Sequence, residues 1–175
     1  MGGQELAILL HADRLQRRGH EIRLVLEPCS PICELAVRRG LTVIPVSMAK
    51  RHYPSAILAF RRILRRESPD ILHVNSSRDS WIGTLAARLV PHRPALVRTR
   101  HISTPVNRTF TTRLLYRHLL DMVIVTGGER TRRGLIERDG LRAEHVAAFP
   151  IGVDLDEFRR LRCQGQTGLD GHRRT

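Results

Sequence analysis

The residues best equipped for chemistry stand directly behind two short apolar runs. His101 and Arg100 follow the run Ala95 to Thr99. An imidazole at such a place titrates near neutrality and can take a proton from a hydroxyl or donate a hydrogen bond to it. Asn75, Ser76, Ser77 and Arg78 follow the run Ile71 to Val74. Their amide, hydroxyl and guanidinium groups suit a polar or phosphate-bearing ligand. Ser77, Asp79 and Ser80 also belong to the residue types that open helices, so the same stretch predicts a helix start. His73 alternates with apolar neighbours inside its run and is expected in the core. The third group is Gly2-Gly3, followed by an apolar stretch from Leu6 to Leu10. Glycines let the main chain approach a phosphate, and a helix beginning there supplies free N–H groups.

These residues need a frame, and the apolar patterning supplies one. Strands are predicted over 21–26, 41–46, 71–74, 95–99, 122–125 and 146–149. Between them helices are predicted over 31–39, 55–66, 80–89, 109–120 and 129–138. The first helix ends at Arg17-Arg18-Gly19, with cations in its last turn and glycine behind them. Its apolar residues run around most of the circumference, which predicts burial on most sides. Strands alternating with helices imply an α/β fold, a Rossmann-like doubly wound parallel sheet covered on both faces. Ligands of such sheets lie outside the carboxyl ends of the strands, where His101 and Asn75 to Arg78 fall. No strand precedes Gly2. In the order 3-2-1-4-5-6 that first strand is the central one, so the sheet is expected either to carry a slot of roughly 9–10 Å between strands 21–26 and 71–74 or to close in another order.

Composition narrows the function classes. The chain has 175 residues, 41% of them hydrophobic, enough for a core. No apolar run approaches ~18 residues, and no basic patch precedes the first apolar run, which argues against a membrane span and a secretory signal. The net charge is +13, yet only Lys50 of the 30 basic residues is a lysine and the arginines are scattered. That pattern reflects coding composition rather than a phosphate-binding surface, and aromatics at 4% leave few stacking platforms, so no nucleic-acid partner is expected. Cys29, Cys33 and Cys163 are odd in number and lack a histidine pair at zinc spacing, so free thiols in a reducing compartment and no metal are expected. Arg159 to Thr175 is basic, glycine-bearing and poor in aliphatics, and is expected to be a disordered tail.

Taken in order, Gly2-Gly3-Gln4-Glu5, Arg18-Gly19-His20-Glu21, Pro69-Asp70-Ile71-Leu72-His73-Val74-Asn75-Ser76, Arg98-Thr99-Arg100-His101 and Pro150-Ile151-Gly152-Val153-Asp154 with Phe158 resemble the N-terminal, acceptor-side domain of a family 4 glycosyltransferase. The resemblance implies one half of a GT-B fold over residues 1–158, incomplete at its start, with the C-terminal donor domain absent. It further implies transfer of a sugar from a nucleoside-diphosphate sugar to an acceptor hydroxyl, with no other cofactor and usually no metal. Under it Gly2 and Gly3 match the donor phosphate loop, and His101 the catalytic histidine of the cleft. Asn75, Ser76, Ser77, Arg78, Arg100 and Thr104 fall at the acceptor side, with Thr104 and Pro105 shaping the loop. Asn75 stands where many relatives carry a second histidine. Gly152 and Asp154 match the hinge between domains. The family's donor site uses two glutamates separated by seven residues; Glu129 and Glu137 have that spacing but lie in an arginine-rich helix, where salt bridges at i+3 and i+4 are expected instead.

The function expected is therefore a hexosyltransferase-type enzyme of cell-envelope polysaccharide or lipopolysaccharide synthesis, cytoplasmic and impaired as this chain alone. Its partners would be a nucleotide sugar and a glycan or lipid-linked acceptor. The helix over 57–66, with Arg61, Arg62, Arg65 and Arg66 beside Ile57, Leu58, Phe60, Ile63 and Leu64, offers peripheral contact with the inner face of the plasma membrane, or simply an apolar side to the sheet and an arginine side to water. Two alternatives share these features: a nucleotide-sugar epimerase on the same fold, and a non-catalytic basic module for anionic polymer or membrane.

Overall fold

The computed structural model describes residues 2–49, 52–101 and 109–149. Helix α1 (Gly3–Arg17) is followed by strand β1 (Leu24–Leu26), α2 (Pro31–Arg38), β2 (Val43–Pro45), α3 (Tyr53–Glu67), β3 (Ile71–Val74) and α4 (Ser77–Ala87). Then come β4 (Ala95–Arg100), α5 (Phe110–Leu114, continuing as a π turn Leu115–Leu119), β5 (Met122–Val125), α6 (Gly128–Arg133, continuing as a π turn Gly134–Arg138), a 3₁₀ turn Ala143–His145 and β6 (Val146–Ala148). Every strand and helix read from the patterning is present, shifted by a few residues at its ends.

Among the described residues the strands are all parallel, but they form two sheets. β1 pairs with β2, Leu24 opposite Val43. A separate sheet has the order β3-β4-β5-β6. β1 and β3 share no ladder, so the sheet does not close up where the central strand of a doubly wound fold would lie. Helix α3 bridges the division: Phe60 and Leu64 lie in one buried cluster with Val74, against which Val25, Ile44 and Leu72 also pack. Arg23, just before β1, meets Glu67 at the end of α3 at 3.2 Å.

The covered face of the four-stranded sheet presents Val74, Leu96, Val123, Val125 and Val146, each 3% exposed or less. Gly83 of α4 lies so close to β3 that a Cβ there would stand 3.0 Å from Leu72 Cδ2. The opposite face is less covered than a doubly wound sheet predicts. Ile71 is 59% exposed, and Val97, Met122 and Ile124 on the same face are half-buried.

Two expectations are corrected. α1 is not buried on most sides: Ala7, Leu9 and Ala12 are buried, Leu9 and Ala12 against Ile32 and Ala36, while Leu6 and Leu15 are 45% and 39% exposed. With the sheet divided, α1 packs on α2 rather than on a continuous strand surface. His73 is not in the apolar core; it projects on the less covered face of β3 with part of the residue exposed, while its ring is shielded against the buried Thr99, Nε2 2.6 Å from Oγ1.

Candidate active site

The parallel strands place Asn75 and His101 within reach of each other, although β4 runs to Arg100, two residues past the end of β3. Val74 is opposite Arg98, so the residue after β3 and the residue after β4 open on one rim. His101 Nε2 lies 3.2 Å from Asn75 Oδ1. The main chain is held there by α4. Ser76 caps that helix, accepting from Asp79 N–H at 3.3 Å, while the Asp79 carboxylate accepts from Ser76 N–H at 2.7 Å and Asn75 N–H at 3.0 Å. The cap is thus Ser76, not Ser77, Asp79 or Ser80; the reciprocal bonds of a capping box favour a serine three residues before an acid.

The opening helix joins the same rim. Gln4 Nε2 donates to the Asn75 carbonyl at 3.4 Å. Glu5 accepts from Gly2 N–H at 2.7 Å and so closes the first turn of α1. Gly2 and Gly3 are exposed, and an added Cβ on either would meet nothing within 4 Å. Gly2 has φ −111° and ψ 173°, ordinary extended backbone. Their smoothness therefore leaves room beside the helix start rather than relieving strain.

Sequence reasoning overlooked His11 and Glu27. His11 lies seven residues, two turns, after Gln4, hence on the same side of α1. Its positive form disfavours charge on both His73 and His101. Burial is the larger cause, and together they hold both rings below the usual histidine value. His101 Nδ1 is buried without a hydrogen-bond partner among the described residues. Glu27 follows β1 and accepts from Met48 N–H at 2.6 Å and Ser47 Oγ–H at 2.7 Å. Those bonds, the backbone one foremost, keep its carboxyl below the ordinary range, and Arg78 adds to the effect. The helical spacing from Gln4 was the available signal for His11; nothing local distinguished Glu27.

The other candidates separate. Ser77 and Arg78 are exposed in the first turn of α4. Arg100 does not face the rim. It is 8% exposed on the covered side of β4, donating from Nη1 to Tyr116 Oη at 2.9 Å. The alternation along β4 turns Arg98 and Arg100 inward together. Thr104, Pro105, Gly152, Asp154, Phe158 and the tail 159–175 lie outside the described residues. Glu129 pairs with Arg132 at 3.0 Å and Arg133 at 3.7 Å, and Glu137 is exposed. A cavity of about 250 Å³ is lined by Tyr116, Arg117, His118, Gly140, Arg142 and His145, and His101 is not among its lining residues.

Among the described residues no cluster of metal-binding side chains occurs, and Cys29 and Cys33 are free. No described helix is long and apolar enough to cross a membrane. Helix α3 turns Ala56, Phe60 and Leu64 into the core and leaves Leu58 47% exposed beside its arginines.

The sequence matches the family described as Glycosyltransferase Family 4 over residues 1–157. No curated protein matches it. The fold is similar to that of a glycosyltransferase from Rickettsia africae, with a TM-score of 0.75 and 16% identity, covering 96% of this chain and 46% of that one. It is also similar to Anabaena Alr3699/HepE, crystallised with UDP and glucose, with a TM-score of 0.64 and 18% identity over 94% of this chain and 47% of that one. MurG of Acinetobacter baumannii gives a TM-score of 0.65 and 16% identity over 88% of this chain and 43% of that one. The chain thus spans a little under half the length of each of these proteins.

Proposed function

The chain belongs to glycosyltransferase family 4, and from that premise we propose that it forms the acceptor side of a sugar transferase that uses a nucleoside-diphosphate sugar. The observation that supports this reading is the convergence of the α1 start, Asn75 and His101 on one rim, joined by hydrogen bonds at 3.4 and 3.2 Å. A hydroxyl arriving there meets an imidazole whose pKa burial holds below the usual histidine value, a group able to take its proton. Gly2 and Gly3 leave main-chain N–H groups of the α1 start open to the donor phosphates. Transfer needs a donor site in addition, which the resemblance assigns to a second domain. By itself the chain would bind sugar and turn over slowly or not at all. The acceptor belongs to cell-envelope glycan synthesis on this reading, at the cytoplasmic side of the membrane.

Two measurements test it. Saturation-transfer NMR on the full chain with methyl glucoside and methyl mannoside is expected to show binding that Asn75→Ala and His101→Ala abolish. Undiminished binding in both variants would refute the site. Release of UDP from UDP-glucose by the chain alone is expected to fall far below the usual enzyme range of ~1–10³ s⁻¹. A rate inside that range would refute the half-site reading.

A further inference from the structure

Arg98 and Arg100 point into the covered side of β4, 6% and 8% exposed. Taking a guanidinium out of water is costly unless a partner returns the charge. Arg98 has no carboxylate within ion-pair distance among the described residues. Its Nη2 donates to Ser77 Oγ at 3.1 Å, and its guanidinium carbon lies 4.9 Å from the centre of the Tyr116 ring. Its Nε is buried and has no acceptor. Arg100 brings a second positive charge to the same ring, at 5.9 Å. The Asp79 carboxylate is engaged with the N–H groups of Asn75 and Ser76.

The Ser77 contact sets Arg98 against the first turn of α4, an 11-residue helix. Ser76 Oγ takes the Asp79 N–H there. The N–H groups of Ser77 and Arg78 have no acceptor among the described residues, and the positive end of the helix dipole adds to the field. A buried cation with an idle donor and a helix start with idle donors thus meet at one hydroxyl, two residues after Asn75.

We propose that Arg98, Ser77 and the first turn of α4 form a subsite for a phosphate group. The phosphate would bring to Arg98 an anion closer than Asp79, whose carboxylate favours its charge from beyond ion-pair distance, and Arg98 would offer it a forked donor pair. Such a group arrives either on the nucleoside diphosphate of the donor or on a phosphorylated sugar acceptor; in naming those two sources the inference rests on the proposed function, whereas phosphate binding itself does not.

The test is thermal unfolding of the full chain against inorganic phosphate at constant ionic strength. The wild type is expected to rise by about 3–6 °C at ten times the dissociation constant. Arg98→Met is expected to lose that rise and to melt no lower than wild type without phosphate, because the uncompensated charge is gone. Arg98→Lys, which keeps the charge but loses the fork, is expected to need more phosphate. Arg65→Gln, on the exposed side of α3, is expected to respond as wild type does. No rise in wild type, an equal rise in Arg98→Met, or an equal loss in Arg65→Gln would each overturn the subsite. Should Arg98→Met fail to fold, the Arg98→Lys titration decides: an unchanged phosphate requirement overturns the proposal. UDP and glucose 6-phosphate form the last two arms, and the one whose effect needs Arg98 identifies the source. If phosphate acts through Arg98 and neither of these does, the subsite stands and the sugar-transferase reading of it fails.

Discussion

His101 Nε2 and Asn75 Oδ1 lie 3.2 Å apart, the residue after β4 against the residue after β3. An amide oxygen only accepts, so Nε2 carries the hydrogen and Nδ1 keeps its lone pair. The contact therefore sets the tautomer as well as the orientation of the ring. Burial, with the nearby positive form of His11, holds that ring's pKa below the usual histidine value.

Replacing Asn75 by Asp is expected to keep the contact and reverse the electrostatics. A carboxylate at that distance favours the imidazolium, by ~1–3 pKa units. An NMR titration of the His101 ring reads this directly. An unchanged His101 pKa in Asn75→Asp would show that the two side chains do not meet in solution.

Stability is expected to fall as the medium is acidified through the histidine range. His73 and His101 both have folded pKa values below the unfolded value of about 6.5. Above that value neither state is protonated and the two rings make no pH-dependent contribution. Below it the unfolded chain binds protons that the folded chain refuses, so stability drops as pH falls through about 6.5 toward the depressed folded values. Urea midpoints at pH 7.5 and 5.5 check the sign, and a double variant His73→Gln, His101→Gln is expected to flatten the slope. Glu27, whose pKa is also depressed, acts in the more acidic carboxylate window.

Asp79 bonds to the N–H groups of both Asn75 and Ser76. Asp79→Ala is expected to cost about 1–2 kcal/mol, the usual size of a lost cap, and to weaken sugar binding at the rim. Asp79→Asn keeps one acceptor and is expected to lose less. Chemical denaturation paired with NMR binding distinguishes this from a purely structural effect, in which binding by the folded fraction would be unchanged.

Gly83 sits where α4 presses on β3, with Leu72 Cδ2 3.0 Å and Val74 Cγ1 3.3 Å from the position of an added Cβ. Gly83→Val is expected to destabilise the chain by about 1–3 kcal/mol through overpacking. Gly83→Ala is milder, since it gains up to ~1 kcal/mol of helix propensity while the two side-chain ends yield. A denaturation midpoint for Gly83→Val at or above wild type would show that the interface has slack.

The strand and helix list was legible because each element carries its own period and its own punctuation. Ile71–Val74 and Met122–Val125 were read to the residue, bounded by Pro69-Asp70 and by Asp121. The rim was legible from one rule, that ligands of parallel sheets lie at the carboxyl ends of strands. His11 escaped because its relation to His101 crosses from one helix to a strand 90 residues on, which no local pattern encodes. Arg100 was expected at the acceptor side because the family resemblance puts it there beside His101. Strand alternation instead turned it, with Arg98, toward Tyr116.

The residues by themselves determined the order of elements, the parallel α/β class and the pair of loops that meet, since periodicity, caps and glycine stops are local properties of the chain. Only the tertiary structure decided that the sheet is divided between β1 and β3, that His73 faces outward, and that two arginines lie inside. Pairing, burial and charge compensation depend on which strand edges find partners, and that is a property of the assembled fold.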